Sequence, residues 1–328
     1  MAGERQWLRY FKLTVAKDGS NTAALDLSDF RVKFRVTQAA VSRPCTAEIT
    51  VYNVSDSVVN SIDAPTNSFV KNSHLTVILE AGYQERHSII FQGDLWWKST
   101  GRESETDTYL RLIAATGDRA HQYAVVNASI PKGSSQADVF STIAKTMEPY
   151  GVKTPNQPTL MATPLARGKV LYAMSRDAMQ NCADVNNFDW GYTDQGLIAI
   201  PKTGKPADDR VVILNAASGL LDRPALDVGG LQLRALLNPD LEFGRVIQVD
   251  TSTIQGADYS TAISSNSVAQ NQAATGQTAD ENGLYIIKSR EFVGDTRGNE
   301  WFVDIIATAY NPAVGIVAPD LLTNIPNI

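Results

Sequence analysis

The sequence predicts a mainly β protein in which two antiparallel β domains, each a barrel or a sandwich, flank a small α+β insert. Three patterns carry that expectation. Apolar and polar residues alternate, strand after strand, from Phe11 to Ala115. The spacing turns helical between Ser135 and Asn187. Alternation then returns from Val211 and ends in a long hairpin over Gly283 to Tyr310. A period of two marks a strand with one buried face, and a period near 3.6 marks a helix with one.

In the first third, Phe11, Leu13 and Val15 alternate with Lys12 and Thr14. Phe30, Val32, Phe34 and Val36 alternate with Arg31, Lys33 and Arg35, so the polar face of that strand is basic. Ala47, Ile49 and Val51 follow, then Leu75, Val77, Leu79 and Ala81, with further strands expected around Ile89 to Trp97 and Tyr109 to Ala115. Regular short strands with polar turns between them mean an antiparallel barrel or sandwich. Trp96 and Trp97 are expected to point to opposite faces of their strand, one into the core and one outward as an interface anchor.

In the middle, Ser135 and Asp138 have the spacing of a capping box, and Ala137, Phe140, Ala144 and Met147 recur at helical intervals until Gly151. A second helix is expected from Ser175 to about Asn187, burying Ala178, Met179, Cys182, Ala183 and Val185. Trp190, Gly191 and Tyr192 lead through the turn at Thr193 to Gly196 into Leu197 to Ile200. Strands resume at Val211 to Leu214, at Leu231 to Leu237 and at Arg245 to Asp250. The closing hairpin turns at Gly294-Asp295-Thr296-Arg297-Gly298-Asn299, where glycine is expected to supply positive φ. Residues 255–282, rich in Ser, Ala, Gln, Asn and Thr, have too few bulky apolar side chains to offset their ordering entropy and are expected to project as a flexible loop. The proline-punctuated, apolar tail suggests docking on a neighbour.

At 328 residues the chain has room for two or three cores. Its 29 basic and 35 acidic residues leave a net charge of −6, which argues against broad basic patches for nucleic acid. Cys45 and Cys182 stand far apart in no ligand spacing, and without an N-terminal apolar segment a reducing cytosolic site of synthesis is expected. No stretch approaches the roughly 20 apolar residues of a membrane span.

Catalytic patterns are few. Ser68-Phe69-Val70-Lys71 with Lys202-Thr203-Gly204 echoes the S-x-x-K and K-T-G pieces of penicillin-recognising enzymes, but Ser68 sits in a polar loop and no S-D-N occurs. His74, His87 and His121 have no cysteine or carboxylate at zinc-like spacing. Gly168-Lys169 and Gly204-Lys205 lack the upstream glycine of a phosphate loop. Glu103 with Glu105, and Asp208 with Asp209, read as solvated turn charges. No catalytic, cofactor-binding or metal residue is therefore assigned, and no cofactor is expected.

Four segments stand in one order along the expected strands. The first is Phe34-Arg35-Val36 with Arg43 to Ser55, reading RPCTAEITVYNVS, and the second is Phe91-Gln92-Gly93-Asp94-Leu95. The third is Leu237-Asn238-Pro239-Asp240-Leu241 to Ile247, and the fourth is Gly283-Leu284-Tyr285 with Gly294 to Trp301. Together they resemble the baseplate hub proteins of contractile-tailed phages: the first is similar to that family's first strand and turn, with Cys45 and Val54 as departures, and the second to its F-x-G-x-I strand. The third resembles its NP stretch, with Phe243 in place of proline, and the fourth its closing hairpin.

That resemblance implies two tail-tube-like β-barrel domains, at 1–125 and 206–312, flanking a small α+β insert at 126–205, with a C-terminal docking tail at 313–328. It implies a structural virion protein without enzymatic activity, made in the host bacterial cytoplasm. It implies a homotrimer joining the hexameric tail tube to the trimeric central spike, and contacts with the tape-measure protein and with baseplate wedge or peripheral hub proteins. DNA would pass the bore without specific binding, and no membrane contact is implied. A tail-tube or distal-tail protein, the hub of a phage-derived contractile injection system, and a β-rich hydrolase are the alternatives. With no basic bore required, Arg31, Lys33 and Arg35 are expected on an outward or intersubunit face.

Overall fold

The computed structural model describes residues 8–17, 25–39, 42–62, 75–154, 158, 160–194, 196–202, 210–227, 230–250, 283–311 and 315–316. Residues 255–282, expected to project as a loop, lie outside the described residues, as do the tail beyond Ile316, Ser68, Lys71, His74, Thr203 and Gly204 of the K-T-G pattern, Lys205, and Asp208 with Asp209.

The chain is mainly β. Its N-terminal strands are β1 (Arg9–Lys17), β2 (Leu25–Asp26), β3 (Val32–Ala39) and β4 (Cys45–Tyr52), followed by the short helix α1 (Asp56–Ser61). Then come β5 (Leu75–Tyr83), β6 (Arg86–Arg102) and β7 (Thr108–Thr116). The middle holds α2 (Asp118–Tyr123), β8 (Val125–Ile130), α3 (Gln136–Lys145), β9 (Lys169–Met174), α4 (Ser175–Asn186), β10 (Phe188–Thr193) and β11 (Gly196–Pro201). The last part is β12 (Val211–Leu214), β13 (Ala225–Asp227), β14 (Gly230–Leu236), β15 (Val246–Val249), β16 (Leu284–Asp295), β17 (Trp301–Asn311) and β18 (Gly315–Ile316).

Alternation explains most strands. In β3, Val32, Phe34 and Val36 are buried while Lys33 and Arg35 turn outward. In β17, Trp301, Val303, Ile305 and Ala307 are buried with Phe302, Asp304 and Ile306 on the other face. In β16, Tyr285, Ile286 and Ile287 are buried in succession because both faces are covered there. Helix α3 starts where the capping box places it: Ser135 Oγ accepts from the Asp138 N–H, and the Asp138 carboxylate accepts from the Ser135 N–H at 2.8 Å. Helix α4 buries Asn186 in place of Val185, which is exposed. The 3.6-residue period carries 179, 182, 183 and 186 on one stripe, and Asn186 satisfies its amide on the Cys182 carbonyl at 2.8 Å.

One 14-stranded sheet runs in the order β13-β14-β17-β16-β3-β4-β7-β6-β5-β1-β2, with β15 and then β12 branching from β16, and β18 on β17. Its pairings are antiparallel except β12 with β15. A main core takes side chains from both ends of the chain, from Leu13 to Ala114 and from Leu214 to Ala307. A second core, from Ala120 to Ala199, belongs to the α+β region.

The two β regions meet at a seam. β3 and β16 pair in antiparallel register from Ala39 opposite Ser289 to Lys33 opposite Asp295, and a buried polar group pins each end. At one end Arg290 is 5 % exposed and donates to Gln38 Oε1 at 2.5 Å and to the Leu241 carbonyl at 2.8 Å. Gln38 is itself buried and donates on to the Ile90 carbonyl at 3.2 Å. Asp194, from the β10–β11 turn, lies 3.9 Å from the same guanidinium. Burial pushes the Asp194 carboxyl up against the pull of Arg290, and burial pulls Arg290 down. Cys45, which donates to the Tyr192 carbonyl at 2.6 Å nearby, is pushed up to about 12 by burial. All three parts of the chain therefore meet at one guanidinium.

At the other end stands the Gly294 to Asn299 turn. Arg31 grips Asp295 through two nitrogens, at 2.7 and 3.3 Å. Thr296 exchanges bonds with the Val32 backbone at 2.9 and 3.0 Å. Arg9 donates to the Gly298 carbonyl at 2.6 Å and stacks over Trp301, whose Nε1 reaches the Gly82 carbonyl at 3.3 Å. Since β5 and β1 lie five and six places along the sheet order from β16, these contacts require the sheet to curl back on itself. Neither Gly294 nor Gly298 uses a left-handed φ. They are there for space, because a Cβ on Gly294 would overlap the Phe34 ring and one on Gly298 would press on the Asp295 carboxylate.

Two outcomes are expected. Arg290→Ala strands Gln38, Asp194 and a carbonyl, and lowers unfolding stability by about 3–5 kcal/mol. Adding Asp194→Asn, which removes the stranded carboxylate, recovers part of it. A loss under about 1 kcal/mol in urea titrations would show that the seam does not need the guanidinium. Burial alone would raise the Asp295 carboxyl, but the Arg31 hydrogen bond, the Arg297 N–H and the charges of Arg31 and Lys33 outweigh it and hold it below the ordinary carboxylate range. A lowered folded value means stability that is present above about pH 4 and lost as pH falls through the folded value. Asp295→Asn thus costs about 1.5–3 kcal/mol at pH 7 and loses less on acidification than the parent. Equal losses between pH 7 and pH 3 would contradict this role.

Candidate assembly surface

The seam carries a row of charges on its solvent face. Arg234 of β14 meets Asp304 of β17 at 2.6 and 2.9 Å. Asp304 stands opposite Glu291 of β16, and Glu291 pairs with Arg35 of β3 at 3.0 Å. Arg35 stands opposite Glu48 of β4, and Glu48 pairs with Arg111 of β7. Three arginines and three carboxylates thus share the row and cancel. Exposed pairs of this kind contribute about 0–1 kcal/mol each, so the row sets surface potential more than stability.

Two of the three cations expected on the basic face, Arg31 and Arg35, are neutralised within the chain. Arg31 is held by Asp295, Arg35 by Glu291, and Lys33 lies over the Tyr52 ring at 5.3 Å. Trp96 and Trp97 correct the expectation of one ring on each face: they are 51 % and 48 % exposed. The register of β6 slips between Leu95 and Trp97. A bulge sets two residues against one, so strict alternation fails at this point and neither ring enters the core. Trp97 stands opposite Ile113, which stands opposite Glu48, so the tryptophans continue the charged row. Exposed aromatic anchors beside arginine are the composition of interface centres.

Beside the same row, a groove of about 510 Å³ is lined by Thr37, Gln232, Arg234, Glu291, Asp304 and Ile306, among others. Arg234 with Asp304, and Glu291 with Arg35, already form ion pairs. The groove offers shape and balanced charge for recognition, and its lining includes no histidine or cysteine.

The remaining residues singled out from sequence are scattered. Cys45 and Cys182 are free and buried. His87 stacks on Tyr10 at 3.7 Å with Nε2 3.4 Å from Glu80, whereas His121 lies edge-on to Tyr192 and is pushed down by burial and by Arg176. Lys202 lies 3.7 Å from Asp189. Among the described residues, no group of three His, Cys, Asp or Glu is placed to hold a metal ion, and no helix is long and apolar enough to cross a membrane. Arg290, Gln38 and Asp194 were not anticipated. A signal existed, because Gln38 continues the buried series Val32, Phe34, Val36, and Arg290 shares the buried parity of Phe292.

Comparison with known proteins adds a family and a fold. The family described as baseplate hub gp41 matches residues 11–257. No curated protein matches in sequence. A tail protein from Neisseria meningitidis superposes with a TM-score of 0.53 at 8 % identity, covering 90 % of this chain and 96 % of its own. A 43 kDa tail protein of prophage MuSo2 from Shewanella oneidensis superposes at 0.49 and 8 %, covering 95 % and 98 %. A component of the E. coli type VI secretion system, described as similar to the T4 tail proteins gp27 and gp5, superposes at 0.49 and 10 %, covering 92 % and 78 %.

Proposed function

The chain belongs to the baseplate hub gp41 family, a structural component of phage tails, and from that premise we propose that three copies form a ring between the tail tube and the central spike. The observation that carries this reading is the seam. Strands on either side of the α+β region are joined within one chain through β3 and β16, and Asp194 of that region faces the Arg290 guanidinium on β16. Two β units fixed within each subunit let a threefold ring present six similar positions to a hexameric tube and three to a trimeric spike. A hinge between them would blur that match.

The paired charges fit a channel. A polyanion binds where Lys and Arg cluster without partners, and the row from Arg234 to Arg111 leaves no excess cation. On this proposal the ring's bore, which would pass the tape-measure protein and DNA, carries no net positive field. An electropositive lumen in the assembled ring would overturn that part. The proposed role is structural, without catalysis or cofactor, in the virion after synthesis in the host cytoplasm. Baseplate wedge or peripheral hub proteins meet its outer side.

Light scattering on the full chain, alone and mixed with the spike protein of the same phage, tests the proposal. Three copies, formed alone or on the spike, are expected. Trp96→Ser with Trp97→Ser should weaken the trimer at least about tenfold while leaving the monomer's thermal midpoint within a few degrees. A stable hexamer or a growing tube would move the protein to the tail tube, and a monomer indifferent to spike would refute the hub role.

A further inference from the structure

The α+β region carries an exposed apolar face. β8 and β9 form a two-stranded sheet apart from the main one. Alternation sends Val126, Ile130 and Leu171 inward to the second core beside α3 and α4. The opposite parity faces solvent: Val125 is 51 % exposed, Val170 74 % and Tyr172 79 %. Asn127 stands opposite Tyr172 and Ser129 opposite Val170, so small polar groups sit among these side chains. Single exposed apolar residues are ordinary, but a contiguous set rimmed by polar groups marks a protein-binding surface.

One end of the rim is basic. Lys132 and Arg167 are exposed and flank the same end of the hairpin, where Gly168 lies against the Ile130 carbonyl and the Lys132 nitrogen. Neither makes an ion pair among the described residues, and neither strand contains Asp or Glu. A second copy docking through this face would bring more apolar surface but no carboxylate from its own strands. Six-residue strands span about 20 Å, which suits the centre of an interface that covers about 800 Å² per partner.

We propose that this face docks a different protein of the tail, one that sets apolar side chains against Val170 and Tyr172 and carboxylates against Lys132 and Arg167. The proposal rests on the hub reading. Its test places p-benzoylphenylalanine at position 172 of the full chain, assembles tails, irradiates them and sequences the crosslinked peptides. The expected adduct joins a different protein within a stretch where Asp and Glu outnumber Lys and Arg. Lys132→Glu with Arg167→Glu should cut its yield about tenfold, since rim charges guide association. Adducts to other copies of this chain, to nucleic acid or to a stretch without excess carboxylates, or no adduct at all, would overturn the proposal. Tails that assemble without the chain would sink the hub reading itself, which protein composition of the same tails shows separately.

Discussion

A single buried guanidinium holds this fold together. Arg290 lies within β16, bonds Gln38 on β3, reaches the carbonyl of Leu241 in the last β region and faces Asp194 from the α+β insert. Taking a cation out of water costs several kcal/mol and is tolerated only where its donors are satisfied. The arrangement therefore exists only when all three parts are in place. Apolar packing around it, from Phe292, Trp301 and Phe34 to Leu79 and Phe91, contributes about 1.5–3 kcal/mol per large side chain. That packing is non-directional. The polar pins are what select the register, because a one-residue slip would turn Arg290 outward and Glu291 inward.

The second pin explains why a short turn is so densely specified. Between Gly294 and Trp301 four side chains have a partner from elsewhere in the chain: Arg31 for Asp295, Val32 for Thr296, Asp29 for Arg297 and Gly82 for Trp301. A turn that only reversed the chain would need none of these. Through Arg9 and Trp301 it also draws β1 and β5 toward the seam, so the curl of the sheet and the union of the β regions arise from the same residues.

Much of this was legible in the sequence, and the failures have local causes. The strands from Phe11 to Ala115, the capping box at Ser135 and the closing hairpin follow from periods and caps that act within a few residues. The pairing of β3 with β16 joins residues some 250 positions apart, as Gln38 and Arg290 show, and no local pattern announces it. Arg290 and Gln38 occupy apolar-parity positions, which flags burial without naming a partner. The tryptophans were misplaced because a bulge interrupts the period on which the expectation rested. β8 and β9 were missed because VVNASI and KVLYAM are short, and 38 residues separate them. The charged row was half visible: its cations stood out on β3, while their carboxylates lie on other strands.

The central claim is that the two β regions form one cooperative body. Native-state hydrogen exchange in increasing urea, followed on β7 and β14 together with β3 and β16, tests it most directly. One shared opening, with the amides of β7 and β14 released at free energies within about 0.5 kcal/mol of each other and with the same urea dependence, is the predicted result. Separate openings, with β14 released while β7 stays protected, would show two independent units joined by a seam that does not couple them.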